Sequence, residues 1–274
     1  MAGPWDHDGP VVAIVGSRGS LADALELTMD LAGDLASQGV AVVSGMALGI
    51  DGAAHHGALR AGGRSGAVLG TELGVSYPRA HAPLQQSLAA SLGLMSEIPA
   101  GTHATRGTFA SRNRLIAALS HAVILVQGDS QSGALLTVRA AESLGRPVGA
   151  IPWDLSEPLA AAPHALIRER RAVLIRDAAD ALALLGEAPS ATLIRALAAR
   201  RDVKRVGGAS RAEGGGALES RVLAGLRRRA EPLDVVATRA SLPAAETSAA
   251  LLALELAGLA RREPGGRFRR TRSG

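Results

Sequence analysis

The chain has 274 residues, 47% hydrophobic and 2% aromatic, with 30 Lys+Arg, 25 Asp+Glu and a formal net charge of +5, enough for one large domain plus a small one. It contains no cysteine, which excludes a disulfide framework, a thiol nucleophile and a thiolate metal site; it has no stretch as long as a membrane span, and its start is polar and acidic rather than signal-like, so a soluble cytoplasmic protein without a membrane partner is expected. The charge is uneven: residues 1–186 hold 13 Lys+Arg against 16 Asp+Glu, net −3, while 187–274 hold 17 against 9, net +8, and such a basic end suits a polyanion.

Val11 to Gly16 reads as an apolar strand ended by glycine, followed by the loop GSRGS (16–20). Leu21 to Gln38 has helical apolar spacing and stops at Gly39. Val40 to Val43 predicts a second buried strand, SGMALGID (44–51) a loop, and Asp51 to Ala61 a helix. Ser65 to Gly70 is a third strand, Tyr77-Pro78 a turn, His81 to Leu92 a helix and Leu94 to Glu97 a short strand. Thr102 to Val126 predicts a basic loop tipped by Phe109, a helix starting near Ser111, and a fifth strand over His121 to Gln127. Ser132 to Leu144 is a helix and Pro147 to Trp153 a sixth strand; Ala172 to Ile175 and a helix from Asp177 close the domain near Leu185.

Apolar strands alternating with helices imply a parallel sheet covered on both faces. Right-handed crossovers then place every strand-to-helix loop at one edge. Residues 187–216 read as an Ala, Arg and Gly-rich linker with a helical piece near Ala191 to Ala199. Three helices follow, over Leu218 to Arg229, Leu233 to Arg239 and Pro243 to Ala257. With the hairpin LARREPGGRFRRT they predict a small winged helix over 217–274.

Four loops at the carboxyl edge have anion-binding features. GSRGS offers glycine turns, the N–H groups of a helix start and the guanidinium of Arg18. Ser44 and Gly45 open the second loop, in which Asp51 reads as a helix anchor. Arg106, Gly107, Ser111, Arg112 and Arg114 surround Phe109 in the third. Ser132 and Gly133 open a helix in the fourth. A lone aromatic among arginines fits a base-stacking platform, or equally a plug in the core beneath a solvated surface. His55 and His56 lack a third ligand, so no metal site is expected, and no residue pattern demands a catalyst.

Together these segments resemble the DNA-processing protein A family (DprA, also called Smf). The matching stretches are AIVGSR, VVSGMALGIDGAAHHGAL, AVLGTELGVSYP, MSEIPAGT, TFASRNRLIAALS and SGALLTVRAAESLGRPVGAIP, in family order over about residues 11–185; the C-terminal stretch is similar to that family's appended winged helix. The resemblance implies an extended Rossmann-like domain (1–186) that binds single-stranded DNA, forms a homodimer and loads a RecA-type recombinase in natural transformation, with no catalysis and no cofactor. Position by position, it implies that Gly16, Ser17 and Arg18 bind phosphate, that Ser44 and Gly45 line the pocket, and that Phe109 stacks on a base. Arg106 and Arg112 would bind backbone phosphates, and Ser132 and Gly133 would complete the pocket. Asn113, Asp51 and His55 match the motif as scaffold.

The chain departs from the family at four places. Gln127 stands for an acidic residue, Trp153 for a glycine, His164 for an asparagine, and Arg170-Arg171 for a Gly-Ala pair. These put the local loop and the dimer surface in question. The N-terminal helical domain of many members is expected to be absent. Two alternatives remain: a Rossmann-like nucleotide-binding or nucleotide-hydrolysing enzyme, although DSQSGALLT stands where such hydrolases carry PGGxGTxxE, and a winged-helix transcription regulator, although Pro243 to Ala257 holds no basic residue.

Overall fold

The computed structural model describes residues 1–188, 190, 192–197 and 217–271. They form two compact units, Met1–Arg195 and Ala196–Gly274. Of the expected linker, residues 189, 191 and 198–216 lie outside the described residues, as does part of its helical piece; residues 192–197 within it are helical.

The first unit is a seven-stranded parallel sheet in the order β4-β3-β2-β1-β5-β6-β7. Its strands are β1 (Val11–Val15), β2 (Ala41–Ser44), β3 (Ser65–Leu69), β4 (Gly93–Ser96), β5 (Ala122–Leu125), β6 (Val148–Ala150) and β7 (Val173–Leu174). The apolar runs are buried because the sheet is covered on both faces: Val12, Ala13 and Ile14 of β1 are fully inaccessible, as are Val123 and Ile124 of β5. β1 pairs with β2 through Val12↔Val42 and with β5 through Val12↔Ala122. The chain therefore winds outward from β1 to β4, returns to β5 beside β1, and winds the other way to β7. The winding thus reverses between β1 and β5, the topological switch point at which open α/β sheets bind their ligands.

The helices are α1 (Ala22–Ser37), α2 (Ile50–Arg60), α3 (Ala82–Ala90), α4 (Arg106–Ser111), α5 (Asn113–Ala118), α6 (Ala134–Ser143), α7 (Ala161–Arg168), α8 (Ala178–Leu184) and α9 (192–197). α1 packs against α2 and α8, and α5 against α6. Right-handed crossovers in opposite directions place α1 and α2 on one face and α6 on the other. The helix α7, which the sequence reading passes over, holds His164. Asp177 caps α8 by accepting the N–H of Ala179 at 3.0 Å.

Ahead of β1, residues 2–6 run beside β4. Ala2 exchanges backbone bonds with Leu94 at 2.9 and 2.6 Å, Trp5 N–H donates to the Leu92 carbonyl at 2.8 Å, and Asp6 meets Arg64 at 2.6 Å.

His55, on α2, is fully buried. Its Nδ1 lies 2.8 Å from Ser65 Oγ, whose own proton goes to the Val42 carbonyl, so Nδ1–H donates to Ser65. It is a neutral strut between α2 and β3, and burial pushes its pKa down to about 3. The unfolded chain then takes up a proton below the ordinary histidine range that the folded chain refuses. Stability is retained above pH 6.5 and is expected to fall by about 1.4 kcal/mol per pH unit below it. Urea midpoints at pH 7 and pH 5 check this; a His55→Gln variant should show a flatter profile.

The second unit contains α10 (Ala217–Gly225), β8 (Glu231–Pro232), α11 (Leu233–Ala240), α12 (Ala244–Leu256), β9 (Ala260–Glu263) and β10 (Arg267–Arg270). The strands form an antiparallel sheet in the order β8-β10-β9. The core gathers Val222, Leu226, Val236, Leu251, Leu254 and Phe268. Three helices and a hairpin make a winged helix, with the short β8 added to the expected pair of strands.

Candidate nucleic-acid interface

Parallel strands bring their carboxyl ends to one edge, where the segments after β1, β2, β4 and β5 meet, joined by Tyr77 from the loop after β3. The third expected loop is corrected by the structure: Arg106 to Ser111 form α4. Thr105 N–H donates to Thr108 Oγ1 at 3.0 Å and Thr108 N–H donates to Thr105 Oγ1 at 3.3 Å. This reciprocal cap satisfies donors that a helix start leaves orphaned, so the helix begins five residues earlier than Ser111.

Thr108 Oγ1 also donates to the Gly70 carbonyl at 2.7 Å, laying α4 on the end of β3. The half-buried Phe109 ring lies against Gly70, where an added Cβ would sit 2.5 Å from Phe109 Cδ1; only glycine permits that approach. Tyr77, 52% exposed, places its ring centroid 4.9 Å from that of Phe109 at a tilt of 49°. The exposed Arg18 has its guanidinium carbon 5.9 Å from the same ring. Two aromatic rings and a guanidinium, from α4 and two separate loops, thus form one partly exposed cluster, where a base can stack and a phosphate can be paired. The sequence reading placed Tyr77 only in a turn; its being the single tyrosine of the chain was the available signal.

Arg112 differs from its expected role. It is 5% exposed. Its guanidinium donates to the Val68 carbonyl and lies 3.9 Å from Asp51 Oδ2. It fills the space over Gly45, where any Cβ would overlap it. Burial pushes the Asp51 carboxyl up, opposed by Arg112 and by the Ala47 N–H, and burial likewise pushes Arg112 down. Ser44 is fully buried and donates to the Ile14 carbonyl at 2.6 Å. Ser44, Gly45 and Arg112 are therefore interior braces beneath the cluster, with their polar groups turned inward rather than toward a ligand.

The first loop also spends its backbone internally. Ser17 N–H donates to the Gln127 carbonyl at 2.8 Å, Gly19 N–H donates to Ser17 Oγ at 3.2 Å, and the Ser17 carbonyl accepts the Ile50 N–H at 3.2 Å. Gly16 and Ser17 thereby fix the turn, and the Arg18 side chain is what the loop presents. Arg106 is exposed and has no ion-pair partner among the described residues. Arg114, by contrast, is held by Glu97 at 2.6 and 2.7 Å. Asn113 Nδ2 donates to the Gly133 carbonyl at 3.1 Å, tying the fourth loop to α5. In that loop Ser132 Oγ accepts the Ala134 N–H at 3.3 Å, and Gly133 is exposed.

The departures have structural partners. The buried Gln127 accepts the Leu21 N–H at 3.4 Å through its side chain, fastening the start of α1. Trp153 Nε1 donates to the Val126 carbonyl at 2.6 Å, and His164 Nε2 lies 3.0 Å from the Trp153 carbonyl, so these two departures meet each other. Arg170 has φ +57°, the left-handed region that the expected glycine favours. Arg171 forms a fork on Glu142 at 2.8 and 2.9 Å.

Because Arg18 is exposed and makes no hydrogen bond within the described residues, Arg18→Ala should leave the melting temperature nearly unchanged. It should weaken binding of single-stranded DNA and flatten the log–log salt slope by about 0.7. Unaltered affinity in the folded variant would reduce GSRGS to a turn.

Among the described residues no group of three His, Cys, Asp or Glu is placed to hold a metal ion, and no helix is long and apolar enough to cross a membrane. The chain is 37% identical to DNA processing protein DprA of Mycobacterium tuberculosis over 270 residues, covering 96% of this chain and 64% of that protein. It is 37% identical to protein Smf of Escherichia coli, covering 87% and 62%. It thus spans a little under two thirds of these relatives' length. Among solved structures, DNA processing protein A of Helicobacter pylori, described for its single-stranded DNA binding mode, superimposes with a TM-score of 0.61 at 30% identity, covering 67% of this chain and 84% of that one. A DprA winged helix profile matches residues 209–266. The profile of DNA recombination-mediator protein A matches residues 2–186, and with this match and those identities the chain belongs to the DNA recombination-mediator protein A (DprA/Smf) family.

Proposed function

We propose that this chain binds single-stranded DNA at the carboxyl edge of its sheet, without catalysis or cofactor. The observation that carries the reading is the Arg18–Phe109–Tyr77 cluster: stacking surface and positive charge, gathered where four loops converge. Stacking accepts any base, so little base preference is expected. We further propose that it acts in the cytoplasm as a homodimer that protects incoming single strands and loads a RecA-type recombinase in natural transformation. Its parts would be a DNA-binding unit (1–186), a linker (187–216) and a winged helix (217–274). Membership of the family and the single-stranded DNA binding of the Helicobacter pylori relative support this reading.

A titration of labelled oligo-dT against duplex of equal length, with nucleoside monophosphates as competitors, tests the reading. Single strands should bind more tightly, with a salt slope of about −0.7 per phosphate neutralised. Equal affinity for both forms would overturn it, and preferential binding of a monophosphate would favour a nucleotide enzyme.

A further inference from the structure

We infer that the β9–β10 hairpin, and not α12, is a second contact for a nucleic-acid backbone, separate from the edge of the seven-stranded sheet. In an antiparallel pair, directly opposite residues share a face, and alternate residues along a strand share it too. Arg261 lies opposite Arg269, and Glu263 opposite Arg267. The other face carries Ala260 and Phe268, both in the core of the winged helix, together with Arg270 and with Arg262, whose guanidinium carbon lies 5.8 Å from the Phe268 ring centroid. The outward face therefore holds three arginines around one carboxylate.

Two arginines placed directly across from each other repel, which alone would destabilise the hairpin. Glu263 relieves this by meeting Arg269 at 2.8 Å and Arg261 at 3.9 Å, and the two guanidinium groups hold its carboxyl below the usual range. Arg267 is exposed and has no ion-pair partner among the described residues. The face keeps an uncompensated positive charge on a rigid, paired ribbon, the arrangement that a line of phosphates would complete.

The helix α12 offers nothing comparable. Its exposed positions include Ala245, Glu246, Ser248, Ala249 and Leu252, the last 59% exposed. It presents no cation for phosphate and no long donor for base edges in a major groove. Recognition by the ribbon is thus expected to depend on the backbone and to be indifferent to sequence.

The test uses the full 274-residue chain with two probes: a mixed-sequence DNA duplex, and oligo-dT of equal length measured in a Phe109→Ala background so that the first site is weakened. Arg261→Gln with Arg267→Gln should lower affinity for at least one probe by about tenfold at low salt and flatten the salt slope by about one per lost contact. Loss on the duplex alone assigns the ribbon to double strands, loss on oligo-dT alone to single strands, and loss on both to any backbone. Leu252→Ser should change neither probe. Should the double variant fold poorly, Arg267→Gln removes a cation with no partner to orphan and should flatten the slope by about one by itself. Unchanged affinity and slope on both probes, or a loss with Leu252→Ser in its place, would overturn the inference. The single-stranded site is read separately, through Phe109→Ala without changes in the hairpin.

Discussion

Replacing Arg112 with methionine is expected to destabilise the α/β unit by about 3–5 kcal/mol, the usual consequence of removing one partner of a buried ion pair. The reason is Asp51. Its carboxylate is 6% exposed and faces the Arg112 guanidinium at 3.9 Å; without that charge it must either stay ionised in a low-dielectric interior or take up a proton. The Val68 carbonyl loses its donor as well. Asp51→Asn in the same chain should recover much of the loss, because neutralising both partners removes the orphaned charge. Urea denaturation of the two single variants and the double variant reads this directly. A loss below about 1 kcal/mol for Arg112→Met, the scale of an exposed ion pair, would show that the pair does not brace α4 and α5. If it does, the variant should also bind single strands less well per folded molecule, since Phe109 sits one turn before Arg112.

Phe109→Ala is expected to lower affinity for single-stranded DNA by roughly 1–3 kcal/mol, the range for losing one stacking platform. The salt slope should stay nearly constant, because no phosphate contact is removed. The cost in stability should be well short of the 3–5 kcal/mol that a fully buried phenylalanine loses to a cavity. The ring is only half-buried, against Gly70 and near Tyr77 and Arg18. Thermal stability and oligo-dT affinity at two salt concentrations form the measurement. A large stability loss with affinity per folded molecule preserved would mean that the residue is packing and that the arginines bind unaided.

Most of the α/β framework was readable because its strands are continuous apolar runs, several helices stop at glycines, and α8 starts at the capping Asp177. The expected and observed elements from β1 to β6 differ mainly at their ends. The α4 helix was hidden because its cap is threonine to threonine, whereas the familiar sequence signature has glutamate or glutamine at the third helical position. The inward turn of Arg112 was readable in principle, since it lies three residues after Phe109 and so shares a helical face with it. Composition argued the other way, because an arginine beside an aromatic suggests a ligand. The partnership of Asp51 with Arg112 could not be read, since it joins residues 61 positions apart through the meeting of two loops. Tyr77 was masked by its proline neighbour, which marks a turn whatever the tyrosine does.

The segment that runs beside β4 has a consequence for how these molecules keep apart. A parallel sheet ends in two strands whose outer amides and carbonyls would accept another strand, and such a rim invites sheets to join into aggregates. At one rim, Ala2 and Trp5 occupy the groups of Leu94 and Leu92, and the Asp6–Arg64 ion pair fastens the strap. At the other, β7 is two residues long, too short to template an extended partner even though Val173 and Leu174 are exposed. Proteolytic clipping near Asp6 would touch no residue of the Arg18–Phe109–Tyr77 cluster, yet would leave the longer rim unguarded, so that loss of activity on storage would come through precipitation rather than through damage to that cluster.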